Sequence, residues 1–315
     1  MARILINSLV PIFVGLLLGF GAGLSKLVDN KDVKGLVTFL MTFALPCSLF
    51  VTIARTPHEL LWSQAKAALV LAMVYVAVYV PVYFISRRLG RENDANSSVS
   101  ALTVAFPNCA AIGFPLLPSI FGPQATVTVV IAIAIGAITI TPVTLAVLEN
   151  AGSKETTGSP ASRIRIALWR AFKKPVFWAP VLGLVAAVVE FRMPAYLDTS
   201  LNILAAATEG TALFVTGLIV SAQRFSVTWG VGWVVLGKNV IQPALCLAVA
   251  LLLRMPLEQT RWVVLLFAIP CGFFGLLFGK PLNATPAVAS SSLIASTVLG
   301  IFTLAGWIIL LSHVH

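Results

Sequence analysis

Apolar residues run along this chain in long blocks, and the polar residues collect in short stretches between them. To within a few residues the blocks fall at 5–25, 35–54, 65–86, 98–120, 124–148, 173–190, 199–221, 230–253, 261–280 and 287–311. About 20 helical residues cross the roughly 30 Å hydrocarbon core of a bilayer. The pattern therefore predicts ten transmembrane helices. The first block follows Arg3 as a signal peptide would, but its apolar stretch exceeds the usual h-region and no clear cleavage site follows, so it is expected to be the first helix.

Composition agrees with an all-α integral membrane protein. Of 315 residues, 59% are hydrophobic and only 10% charged, with a mean hydropathy of +0.98, whereas a soluble globule carries about 25% charged residues. Ten crossings use about 200 residues and leave no room for a soluble domain. Several chemistries drop out. Gly279-Lys280 continues into Pro281 and has Phe274 where the first glycine of a Walker loop would stand, so nucleotide hydrolysis is not expected. Cys47, Cys109, Cys246 and Cys271 lie in apolar runs away from His58, His313 and His315, so neither disulfides nor a zinc site is indicated. The chain is not expected to be an enzyme: no catalytic residue, cofactor or metal is predicted.

A formal net charge of +10 is compatible with nucleic-acid binding, but the basic residues lie in short loops without interleaved aromatics, and membrane topology accounts for them better. Fourteen fall on one side: Lys26, Lys31, Lys34, Arg87, Arg88, Arg91, Lys154, Arg163, Arg165, Arg170, Lys173, Lys174, Arg224 and Lys280. Six fall on the other: Arg3, Arg55, Lys66, Arg192, Arg254 and Arg261. The positive-inside rule makes the first side cytoplasmic. The expected protein is thus a multi-pass inner-membrane protein with both termini outside the cytoplasm.

A shift of 164 residues lays Pro11 and Gly19 on Pro175 and Gly183, Leu49-Phe50-Val51-Thr52 on Leu213-Phe214-Val215-Thr216, and Gly136 and Thr139 on Gly300 and Thr303. In the fourth and ninth helices the register slips slightly, setting Phe106-Pro107 against Ile269-Pro270 and Gly113 against Gly275. Two repeats are expected, 1–150 and 173–315, joined by a Gly/Ser/Thr/Pro-containing cytoplasmic linker at 151–172. Each holds five crossings, an odd number, so the halves must be inverted relative to each other, as in secondary transporters.

In such architectures, paired Gly/Pro interruptions mark the binding site. The fourth helix carries Pro107-Asn108-Cys109-Ala110 with Gly113 and Pro115, and the ninth carries Pro270-Cys271-Gly272-Phe273. Proline removes a backbone donor and glycine lets the freed chain bend, so both helices should break near the midplane and present half-helix N-termini that favour an anion. Asn108 could donate to a carboxylate, or could simply brace the break. Cys109 and Cys271 read as small packing residues. The deepest ionisable groups are Glu209 and Lys238, with Gln242 four residues on and on the same face as Lys238; they are candidates for coupling or charge compensation, or for a structural pair.

Pro-Asn-x-Ala-Ala-x-Gly-x-Pro at 107–115 resembles the auxin efflux carrier family. Phe43-Ala44-Leu45-Pro46, Trp169-Arg170, Lys173-Lys174-Pro175, Ile241-Gln242-Pro243 and Gly272-Phe273-Phe274-Gly275 extend the likeness over nearly the whole chain, towards the bacterial malonate carriers of that family. The resemblance implies a fold like that of the bile acid sodium symporters. It also implies a homodimer through a scaffold of helices 1, 2, 6 and 7, and a moving unit of helices 3–5 and 8–10 crossing at 4 and 9. Asn108 then matches a substrate-contacting position. The long cytoplasmic loop of the plant carriers is missing, which argues against auxin itself. The expected function is elevator-type transport of small organic anions, malonate-like dicarboxylates, with protons as the candidate coupling ion, lipid as surroundings and no nucleic-acid partner. The alternative is a cation/proton antiporter of the same fold, which would need paired acids near the breaks; the fifth helix, Thr126 to Ala146, has none.

Overall fold

The computed structural model describes residues 2–30, 32–57, 59, 63–152, 169, 173, 175–222 and 228–313, without the side chains of 2–9, 12, 209 and 313. Most of the expected linker at 151–172 lies outside the described residues. Helices and their connections account for the described residues, among which the one β-type pairing is a bridge between Pro107 and Cys271. The helices are α1 (Ala2–Leu24), α2 (Lys34–Ala54), α3 (Ala65–Arg88), α4 (Asp94–Ala105), α5 (Cys109–Phe121), α6 (Pro123–Ala151), α7 (Pro175–Val188), α8 (Ala195–Ser221), α9 (Trp229–Leu252), α10 (Leu257–Ala268), α11 (Phe274–Gly279) and α12 (Ala287–His313). Six of them (α2, α3, α6, α8, α9 and α12) are long and apolar enough to cross a membrane. The chain is a multi-pass membrane protein.

Local sequence explains where these helices deform. Three wide π turns occur, at Leu40–Ala44, Cys109–Gly113 and Gly237–Ile241. Each ends two residues before a proline, Pro46, Pro115 and Pro243 respectively. A proline ring pushes against the carbonyl four residues back, and here that residue is Thr42, Ala111 or Asn239, inside the π turn in every case. The helix widens there and continues.

Glycines set the closest helix contacts. α1 packs on α8, and α2 on α7. A Cβ at Gly19 would strike the Phe214 carbonyl, and one at Gly183 would strike the Phe50 carbonyl at 3.0 Å. Each residue of the first contact thus stands 164 positions from its counterpart in the second. Gly136 and Gly300, again 164 apart, back onto the Phe106 ring and the Pro270 ring. The core lies where α3, α4, α6, α10 and α11 meet, around Tyr75, Phe106, Phe267 and Phe274. Tyr75 stacks edge-on against Phe106 and Phe267, with ring centroids 5.5 and 5.1 Å apart, and its hydroxyl donates to the Ala132 carbonyl at 3.1 Å.

Candidate functional site

Both expected breaks are present. α4 ends at Ala105 and Phe106 turns extended; α10 ends at Ala268 and Ile269 turns extended. The two unwound stretches cross and pair: the Asn108 amide donates to the Pro270 carbonyl (3.1 Å) and the Gly272 amide to the Thr103 carbonyl (3.1 Å). Gly272 is required by this approach, because a Cβ there would run into the Phe106 carbonyl oxygen. Gly275 lies as closely against the Val99 carbonyl and the Thr103 hydroxyl. Exchanged backbone bonds thereby satisfy polar groups that a membrane interior would otherwise leave unpaired, each at a cost of several kcal/mol.

The remaining freed groups are held by side chains. The Cys271 amide donates to the Ser296 hydroxyl (3.1 Å), which donates in turn to Asn239 Oδ1 (2.7 Å). Asn239 Nδ2 donates to the Ser296 carbonyl (3.0 Å), and the Trp307 indole to the Asn239 carbonyl (2.9 Å). From the same π turn of α9, Lys238 is fully buried. Its Nζ donates to Gln242 Oε1 (2.7 Å) and to the Phe267 carbonyl (3.1 Å), while Gln242 Nε2 donates to the Ala105 carbonyl (2.8 Å).

Asn108 stands at the start of α5 and is 6% exposed; its carbonyl accepts from the Ile112 amide, but its carboxamide caps nothing. A cavity of about 20 Å³, reached by α5 at Ala110, is lined by Leu45, Ser48, Leu49, Thr52 and Ile53 of α2 and Thr208 of α8 on one wall. Ala110, Phe114, Val130, Ile133, Phe273 and Phe274 make the other. That volume admits about one water-sized molecule. Thr208 Oγ1 is buried with no hydrogen-bond partner.

The crossing thus brings together Pro107, Asn108, Pro270, Cys271 and Gly272. Of the other expected residues, Ala110 and Phe273 line the cavity; Cys109 and Cys271 are buried behind it at 1% and 2% exposure. Gly113 faces Val129 and Leu266, which a Cβ would meet at 3.1 and 3.3 Å, and so serves helix packing. The two half-helix starts are unequal, since α11 spans only six residues. Lys238 and Gln242 hold the ends of α4 and α10 and do not line the cavity. Glu209 lies on α8 next to Thr208, and its side chain is outside the described residues. Sequence reasoning missed Ser48, Thr52 and Thr208, isolated hydroxyls in apolar helices that carry no motif. It also missed Asn239 and Ser296, whose role depends on contacts between distant segments.

Among the described residues no three His, Cys, Asp or Glu side chains gather to hold a metal, and the four cysteines are free thiols. Lys280, beyond the end of α11, donates to the Asn30 carbonyl at 3.4 Å; partial burial lowers its pKa, against the opposing pull of Asp29 and Asp32.

Residues 4–308 match the family profile described as membrane transport protein. The chain is 29% identical over 311 residues to the "Uncharacterized transporter YfdV" of Escherichia coli (strain K12), covering 98% of both chains. It is 27% identical over 313 residues to the "Putative malonate transporter" of Rhizobium meliloti (strain 1021), covering 97% of this chain and 96% of that one. Auxin efflux carrier component 8 of Arabidopsis thaliana is 22% identical over 355 residues, with 97% of each covered. With the match running from the first helix to the last, the chain belongs to the membrane transport protein family that includes the auxin efflux carriers.

Proposed function

We propose that the protein is a secondary carrier of small organic anions, malonate-like dicarboxylates foremost, working by an elevator movement of one helix group past another. The observation that carries the proposal is the Asn108 carboxamide, which caps nothing, at the head of α5 on the crossing, two residues before Ala110, which lines the cavity. Two features that favour an anion stand together there: a carboxamide N–H and the positive N-terminal end of α5. The similarity to a protein named as a malonate transporter supports the dicarboxylate class.

Ten crossings follow when α4 with α5, and α10 with α11, each count as one interrupted span. Contacts repeated at a spacing of 164 residues support two five-helix repeats of opposite orientation. On this reading α1, α2, α7 and α8 form the scaffold and a homodimer interface, while α3–α6 and α9–α12 move. The seam between the groups suits sliding, because Leu45, Leu49 and Ile53 meet Ala110, Phe114, Ile133 and Phe273 with few polar contacts to break. A dicarboxylate is far larger than the closed cavity, so loading requires that seam to open. The Lys and Arg distribution supports an inner-membrane orientation with both termini outside.

The test is flux of labelled malonate, oxalate and monocarboxylates in proteoliposomes. Saturable malonate flux, competed by other short dicarboxylates, is the expected result. No flux of any carboxylate from a well-folded preparation would refute the proposal.

A further inference from the structure

Where α10 gives way, the Phe267 carbonyl loses its helical donor, because the Cys271 amide four residues on donates to the Ser296 hydroxyl. Where α4 gives way, the Ala105 carbonyl loses its own, because the Cys109 amide turns to the Pro107 carbonyl (2.7 Å). Both orphaned carbonyls are served by a single turn of α9. Lys238 takes the first directly, and Gln242 takes the second while accepting from Lys238. Two helix C-termini, each with about half a negative charge, thus converge on one fully buried cation. Among the described residues no carboxylate forms a salt bridge with Lys238. Its charge is balanced by oriented carbonyl oxygens and helix ends.

A main-chain carbonyl at a negative helix end and a carboxamide oxygen, the two acceptors of the Lys238 ammonium, are also what a hard monovalent cation would select. We propose that the Lys238 ammonium is a resident cation, occupying the place at the crossing where a free monovalent cation would otherwise be required, so that the broken helices are set for substrate without bound sodium. Lys238 is then a positioning residue. It acts through the ends of α4 and α10, which fix Asn108 and Gly272, and not by touching the substrate. The inference rests on the carrier reading above, but half of its test does not.

The experiment compares the purified protein with Lys238→Ala and Lys238→Met in sodium, potassium, methylammonium or choline chloride at one ionic strength. Thermal melting and malonate flux are both read. The wild type should melt and transport alike in all four salts. Lys238→Ala opens a hole; its flux should fall at least tenfold in choline, and methylammonium, which fits that hole, should raise its Tm and restore at least half the flux. Lys238→Met fills the space without charge, so it should stay slow in every salt. Overturning results are a sodium requirement in the wild type, wild-type flux in Lys238→Met, or a Lys238→Ala melting curve indifferent to methylammonium. If Lys238→Ala cannot be recovered from choline, its yield in methylammonium is read instead, and equal failure in both salts overturns the idea. Cation-dependent melting without flux of any carboxylate would sink the carrier reading and leave the resident cation standing.

Discussion

Thr208 lines the small cavity from one group of helices with a buried hydroxyl that has no partner, and Asn108 stands on the crossing in the other group with a carboxamide that caps nothing. A buried polar group without a partner costs about 1–3 kcal/mol, and a substrate oxygen would recover that cost. Asn108→Ala should therefore weaken dicarboxylate binding by about 1–3 kcal/mol, roughly 5- to 150-fold in Kd, with little change in Tm. Calorimetric titration of the folded variant with unchanged affinity would return Asn108 to bracing the break. Thr208→Val keeps the shape and removes the orphaned hydroxyl, so it should leave Tm equal or slightly higher. If Oγ1 meets the substrate, affinity should fall at the same time; a rise in Tm alone assigns Thr208 to packing. Gly272 differs from both, because its Cβ position is filled by the Phe106 carbonyl. Gly272→Ala must push the crossing strands apart and should cost at least about 1–3 kcal/mol of stability, read as a lower melting temperature before any transport is measured.

The helices themselves were largely legible. Long apolar blocks predicted the six long spans because lipid demands about 20 apolar residues per crossing, and the prolines marked the breaks because a missing N–H cannot be hidden there. Other prolines, Pro46, Pro115 and Pro243, explain the three π turns, which no expectation included. What the sequence could not supply was the partner set of Lys238 and Gln242 beyond each other. The acceptors at Phe267 and the carbonyl served by Gln242 at Ala105 belong to the backbone, and backbone oxygens leave no trace in residue identity. The repeat of Gly19 at Gly183 was legible, and the targets of the two glycines, the Phe214 and Phe50 carbonyls, were not. That contact carries a prediction. Gly19→Leu should separate α1 from α8, and Gly183→Leu should separate α2 from α7. If the two pairs are equivalent halves of one scaffold, both variants should lower Tm by similar amounts. Loss from one and none from the other would break the equivalence.

Orientation and energetics belong to the whole molecule. The asymmetry of Lys and Arg predicts that a cysteine introduced at Ser159, in the linker, is labelled by an impermeant reagent only from the cytoplasmic face; labelling from outside intact cells would reverse the topology. The membrane potential fixes the sign of the electrical driving force. Each charge crossing 100 mV is worth about 2.3 kcal/mol, so a dianion leaving an inside-negative cell gains about 4.6 kcal/mol, and one entering must overcome the same amount. A lysine carried on the moving helices does not alter this balance, because it crosses with the substrate and returns on the empty stroke. Concentrative uptake of a dianion would need two co-transported positive charges merely to become electroneutral, whereas export needs none. With Lys238 already filling the cation position, the expected behaviour is sodium-independent movement, by uniport or with protons. Proteoliposomes loaded with labelled malonate separate the two: potassium and valinomycin clamped inside-negative should speed efflux if the dianion moves alone, while a pH gradient should govern the rate, and voltage should not, if two protons accompany it. Replacement of sodium by choline should change neither. A strict sodium requirement would refute both routes, and with them the resident-cation account of Lys238.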